Sequence, residues 1–226
     1  MTIRHKVSAT LIAAAATLGC AALPASANAA PVTTPSAIGV APSGVAISGR
    51  DGLAAYANAA LDAWASYAGT GSTTSLNNFV AIRDAIANEA ARRLGLDAGA
   101  MRAAWMKADT SHQVALIAAF TQLGTPYRRN TSKPGVGFDC SGLTTFAWGQ
   151  AGKALFRQSG TQIKNAKAVT RESAQAGDLV YYPGHVMLYL GVGNAIIHAP
   201  YTGRNVEVAF ISKSKANSAR FGNPIG

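Results

Sequence analysis

"GVGFDCSGLTTFAWGQAG", residues 135–152, contains Cys140, one of two cysteines in a chain of 226 residues. After it, Leu143, Phe146, Ala147 and Ala151 fall on one helical face, and Gly152 supplies a stop. Asp139 is then the natural N-cap, so Cys140 lies in the first helical turn. At that position free backbone N–H groups and the positive end of the helix dipole favour a thiolate. The Cys140 N–H itself is available to an oxyanion.

A nucleophilic thiol needs a base, and the chain has four histidines. His5 belongs to the amino-terminal leader. His112 begins a helical pattern and reads as an ordinary surface or helix-end residue. His185 and His198 stand in consecutive strand-like runs, "HVMLYL" and "NAIIHA", joined by a tight turn at Gly191–Asn194. If Leu190 pairs with Ala195, His198 falls opposite Met187 and both imidazoles share a face; a slip of one residue would separate them. His185 would then take the thiol proton and return it to a leaving amine, while His198 orients His185 through its far nitrogen. Zinc held by the same three residues is the metal alternative, but their separation lacks the short paired spacings of zinc sites. The thiol chemistry itself requires no cofactor.

Around this site the chain shows the marks of export. Residues 1–29, "MTIRHKVSATLIAAAATLGCAALPASANA", combine a basic start, an apolar run and Ala27-Asn28-Ala29, the pattern of a cleaved signal peptide. Cys20 in "TLGC" invites a lipoprotein reading, but its leucine is one place too close for the usual lipobox, and cleavage near Ala30 is expected. Cys140 would then be the mature protein's single cysteine, with no intramolecular disulfide. No later segment approaches a membrane-spanning length.

The charge of +10 is uneven. Residues 30–111 hold six basic and six acidic side chains, whereas residues 112–226 hold twelve basic and four acidic ones. A basic half suits a polyanionic partner such as the anionic polymers of a cell wall. The basic residues are scattered and no nucleic-acid motif accompanies them, so nucleic acid is not expected as a partner.

Residues 30–50, rich in Pro, Gly, Ser and Thr, read as a flexible linker. Residues 51–110 read as a helical accessory region. "GLAAYANAALDAWASYAG" and "SLNNFVAIRDAIANEAARRLG" carry helical spacing with stops at Gly69 and Gly95, and Asp97 can cap a third helix. Trp64 and Trp105 in this region read as packing residues. Residues 111–226 read as an α+β domain: a helix capped by Ser111, the loop "TPYRRNTSKPGVGF", the cysteine helix, then "GDLVYY", "HVMLYLG", "NAIIHA" and "RNVEVAFI" as strands. Their short connections predict an antiparallel sheet.

"LGTPYRRN", "GFDCSGL", "FRQSGTQ", "AGDLVYY", "GHVMLYLG" and "IIHAP" follow one another in an order that resembles the NlpC/P60 family of cell-wall cysteine peptidases, over about residues 112–210. The resemblance implies a papain-like α+β fold. It also implies hydrolysis of peptidoglycan stem peptides, typically between the D-glutamate side-chain carboxyl and diaminopimelate or lysine. By matching motif positions, Cys140 resembles the nucleophile, His185 the base and His198 the third polar residue. Tyr127 resembles the family's tyrosine near the thiol, and Asp139, Ser141, Arg157 and Ser159 resemble residues that shape the cleft. Asp139 also has a plain role as a helix cap, and Arg157 as an ion-pair partner. An amidase or acyltransferase on another wall amide, and a non-catalytic wall-binding protein, are the alternatives. Two departures bear on the subsites: Arg128-Arg129-Asn130-Thr131 stands where an aromatic residue and paired glycines are usual, and Ala176 replaces a common proline.

Overall fold

In the computed structural model, residues 51–226 are described; the leader, its cleavage point, Cys20 and the linker of residues 30–50 lie outside them. The first three helices are α1 (Gly52–Thr70), α2 (Thr73–Leu94) and α3 (Ala98–Lys107). Each begins at a residue with a short polar side chain. Asp51, Ser72 and Asp97 accept N–H groups of the first turn that have no partner within the helix. α1 runs past Gly69 and stops at Gly71, whose φ of 70° lets its N–H reach back to Tyr67 O. Arg93 near the end of α2 holds the start of α1 through Asp51 at 2.6 Å and its own turn through Glu89 at 2.9 Å.

The fourth helix, α4 (Thr110–Phe120), has buried residues around nearly its whole circumference and packs against both α1 and the cysteine helix. Its N-cap is Asp109 and not Ser111, and the Asp109 carboxylate accepts from Gln175 instead of capping the helix. Next come β1 (Ser132–Lys133) and β2 (Gly137–Phe138), a small antiparallel pair, and then α5 (Cys140–Gln150) and α6 (Ser159–Asn165).

The remaining elements are β3 (Lys167–Val169), β4 (Leu179–Tyr182), β5 (His185–Tyr189), β6 (Ala195–His198), β7 (Glu207–Phe210), α7 (Lys213–Ala216) and β8 (Arg220–Asn223). β3 to β8 form an antiparallel sheet in the order β3-β8-β4-β5-β6-β7. The four strands expected from the sequence are present. β1, β2, β3 and β8 are additional, two to four residues each, too short to show a period. The α+β class and the helical segment before the sheet are as expected.

The helices of residues 52–107 share one apolar core with the sheet: Leu53, Phe79, Ile86 and Trp105 belong to the same cluster as Phe120, Leu143, Trp148, Leu188 and Ile197. Trp105 is 1% exposed, lies edge-on to Phe120, and donates its indole N–H to Leu190 O at 3.0 Å. In the following turn Gly191 has φ 84°, and a Cβ there would meet Ala104 Cβ of α3 at 2.7 Å. α3 therefore seats against the turn that sets the β5–β6 register, and that turn accepts only glycine.

Candidate active site

α5 starts where the sequence places it. Asp139 is in extended conformation and its Oδ1 accepts the Gly142 N–H at 2.7 Å, which leaves Cys140 as the first helical residue. The entry is tight: a Cβ on Gly142 would lie 2.2 Å from Thr131 O, which also accepts the Asp139 N–H at 3.0 Å. Glycine at position 142 lets the chain from Arg128 to Thr131 cross directly over the first turn of α5.

The two strand histidines meet. β5 and β6 pair Leu188 with Ile197 and Tyr189 with Ile196, and the Leu190 N–H reaches Ala195 O at 2.9 Å, the register expected from the turn. His185 Nε2 lies 2.9 Å from His198 Nδ1, with the rings at 75° to each other. This leaves His185 Nδ1 as the ring nitrogen not engaged with His198. The half-buried Cys140 sulfur takes hydrogen bonds from the N–H groups of Val186, next to His185, and of Ser141. Tyr182 lies beside His185, ring centroids 5.3 Å apart.

Burial governs the electrostatics of this group. It pushes the Cys140 thiol up from its ordinary value, Asp139's negative charge adds to the effect, and the Val186 and Ser141 donors only partly offset both. Burial in this half-buried turn thus opposes the thiolate that the helix start favours. Burial and the neighbouring His198 bring His185 down to about 3, and burial with Arg204 brings His198 to about 4. At neutral pH the resting set is a thiol beside two uncharged imidazoles. Tyr127 and Tyr182 are both held above the usual phenol value, by burial first and then by the proximity of Cys140.

The rim residues form one network. Arg157 donates to Asp139 Oδ2 at 2.7 Å and to the Ser141 hydroxyl at 2.9 Å, so Asp139 is at once helix cap and ion-pair partner. Ser159 opens α6 and is half-buried. Tyr127 is fixed through its backbone, which donates to Arg204 O at 2.8 Å.

Three features were not read from the sequence. Gln162, 2% exposed, donates to Ser141 O at 3.0 Å and to Phe156 O at 2.7 Å, and so ties α6 to the cysteine turn. Glu207 pairs across the sheet with His198, its Oε1 3.6 Å from His198 Nε2. The alternation in "RNVEVAFI" would have put Glu207 on a definite face, but nothing in it reveals which strand lies alongside. His112 is fully buried, not at the surface; its Nε2 pairs with Asp178 Oδ1 at 2.9 Å, joining α4 to the approach to β4. A cavity of about 750 Å³ lined by Arg171, Asn194, Arg220 and Phe221 contains none of the site residues expected from the sequence.

Comparison with known proteins points to one family. The model of the NlpC/P60 family matches residues 124–222. A probable endopeptidase of Corynebacterium glutamicum is 40% identical over 107 residues, which cover 46% of this chain and 50% of that protein. A gamma-D-glutamyl-L-lysine dipeptidyl-peptidase of Bacillus cereus is 41% identical over 95 residues, covering 38% of this chain and 28% of that one. A lipoprotein-like NLP/P60 family structure from Staphylococcus aureus aligns with 51% of this chain and 42% of its own at 30% identity, with a TM-score of 0.44. The chain thus spans half or less of the length of these curated relatives. Residues 124–222 of this chain thus match the NlpC/P60 family model, and within them a cysteine at a helix start lies against an antiparallel sheet in an α+β fold.

Proposed function

We propose that the protein is an exported cysteine peptidase that hydrolyses an amide of peptidoglycan stem peptides, with Cys140 as nucleophile, His185 as base and His198 as its orienter. The observation that carries this reading is a hydrogen-bonded histidine pair together with a helix-start thiol that accepts from the N–H of Val186, the residue after His185. The relatives' names support the substrate class, and the bond between the D-glutamate side-chain carboxyl and diaminopimelate or lysine is the reading favoured by the Bacillus cereus relative. Export rests on the signal-peptide pattern of residues 1–29.

In the mechanism, His185 Nδ1 accepts the thiol proton as the Cys140 sulfur attacks the carbonyl carbon. The negative charge formed on oxygen is met by the Cys140 N–H at the helix start. His185 returns the proton to the departing amine, leaving a thioester. Water, activated by the same imidazole, then releases the acid and restores the thiol. The uncharged resting state is suited to this sequence, because ion-pair formation accompanies attack instead of preceding it. Tyr127, Asp139, Ser141, Arg157 and Ser159 shape the approach, with Asp139 and Arg157 held to each other by a 2.7 Å ion pair. The twelve basic side chains of residues 112–226 suit attachment to anionic wall polymers.

The test is mass spectrometry of defined muropeptides incubated with the full chain and with Cys140→Ala. A cut at the D-glutamyl to third-residue amide that disappears in the variant is the expected result. Cleavage of a different wall amide would redirect the reading to an amidase. Binding without turnover, unchanged in Cys140→Ala, would overturn the peptidase assignment in favour of a wall-binding protein.

A further inference from the structure

Beyond the three residues at the thiol, the line of polar groups continues to the edge of the sheet. His198 Nδ1 is engaged by His185, whereas its Nε2 is buried and has no hydrogen-bond partner at normal distance among the described residues. The acidic group facing that nitrogen is Glu207, opposite it on β7, with Oε1 at 3.6 Å. This is too long for a hydrogen bond but within ion-pair range, from a carboxylate that stays partly exposed. The carboxylate is itself fixed: Arg204 grips both oxygens at 2.6 Å.

The order of protons along this line matters. With both imidazoles uncharged, the bond between them has one proton. If His198 Nδ1 carries it, His185 Nε2 must accept, and the His185 proton sits on Nδ1, which leaves that nitrogen no lone pair to act as a base. If His185 Nε2 carries it, His185 Nδ1 presents a lone pair to the thiol, and His198 has its own proton on Nε2. Only the second arrangement is competent for catalysis. A carboxylate opposite His198 Nε2 attracts the N–H of that arrangement and repels the lone pair of the other.

We propose that Glu207, held by Arg204, is a positioning residue that selects the His198 tautomer and thereby keeps His185 Nδ1 unprotonated toward Cys140. This rests on the peptidase reading for its catalytic consequence, but not for the tautomer itself. Arg204 has a second part in the same arrangement, since its carbonyl receives the Tyr127 N–H at 2.8 Å. One short segment therefore sets both the carboxylate behind the histidines and the tyrosine near the thiol.

Long-range 1H–15N correlation spectra of the full chain labelled at histidine, in wild type and in a Cys140→Ala background, test the proposal directly. The expected result is a proton on His198 Nε2 and on His185 Nε2. Glu207→Ala should mix the His198 tautomers and lower kcat by about 10–100-fold with little change in KM, the scale set by outer partners of functional imidazoles. Glu207→Gln, whose amide oxygen can still accept, should restore most of kcat. A proton on His198 Nδ1 in the wild type would overturn the proposal. So would Glu207→Ala with unchanged tautomers, or Ala and Gln variants that lose kcat equally in step with melting temperature. If Glu207→Ala does not fold, the wild-type spectrum and Glu207→Gln still decide. A chain that cuts no stem peptide would defeat the peptidase reading and leave the tautomer measurement standing.

Discussion

His185 Nε2 and His198 Nδ1 lie 2.9 Å apart, joining the first residue of β5 to the last of β6. His198 therefore orients His185 through a single contact that a side chain of other chemistry can imitate. His198→Asn, which can present an amide oxygen to His185 Nε2, is expected to retain more activity than His198→Ala. The alanine variant should lose about 10–100-fold in kcat with KM little affected. Steady-state kinetics on a defined muropeptide check the order.

The Cys140 thiol is raised by burial and accompanied by uncharged imidazoles, so it should react with iodoacetamide slowly at pH 7. The alkylation rate should climb only as the pH passes above the ordinary thiol range. A fast reaction at pH 6, typical of a preformed thiolate–imidazolium pair, would contradict the resting state described here.

Both histidines titrate near 6.5 in the unfolded chain but near 3 and 4 in the folded one. Between these limits the unfolded state binds more protons, so stability is fully present above about pH 6.5 and falls as the solution is acidified toward pH 4. Replacing His185 and His198 together by Gln should flatten that acid limb. Urea unfolding at pH 7, 6, 5 and 4 measures it.

Gly142→Ala places a methyl group 2.2 Å from the Thr131 carbonyl, a backbone atom that cannot rotate away. The crossing of the Arg128–Thr131 segment over α5 must open, at a cost of about 1–3 kcal/mol. Because the displaced turn contains Cys140, activity should fall further than stability. Chemical denaturation paired with kinetics separates the two effects.

Trp105 gives a route to the role of the helical segment. Trp105→Phe removes the donor to Leu190 O but keeps most of the apolar contact, and a loss of about 1–2 kcal/mol is expected. A fragment limited to residues 112–226 would expose the apolar surface now covered by Trp105, Phe79 and Ile86. It should melt less cooperatively and bind a hydrophobic dye, as differential scanning calorimetry and dye fluorescence would show.

Much of the site could be read from local sequence because its parts obey local rules. Asp139 before a helical face placed Cys140 in a first turn, and the Gly191–Asn194 turn fixed a period-two register that brought His185 and His198 together. The stop at Gly71 instead of Gly69 and the cap position at Asp109 instead of Ser111 each differ by two residues, since contacts with distant segments help set where a helix begins and ends. Asp109 is occupied by Gln175, 66 residues away. The burial of His112 is likewise a long-range outcome, because its partner Asp178 comes from the loop leading into β4.

What the sequence determined by itself was the set of elements and their chemistry: helical and alternating periods, a helix-start cysteine and two histidines in strands. These depend on neighbours a few residues apart. Only the tertiary structure decided that burial opposes the helix dipole at Cys140, that Glu207 faces His198 from the next strand, and that Trp105 seats α3 on the β5–β6 turn. Each of these is set by solvent exclusion or by contacts between distant segments, and no local pattern encodes which distant groups will share a buried space.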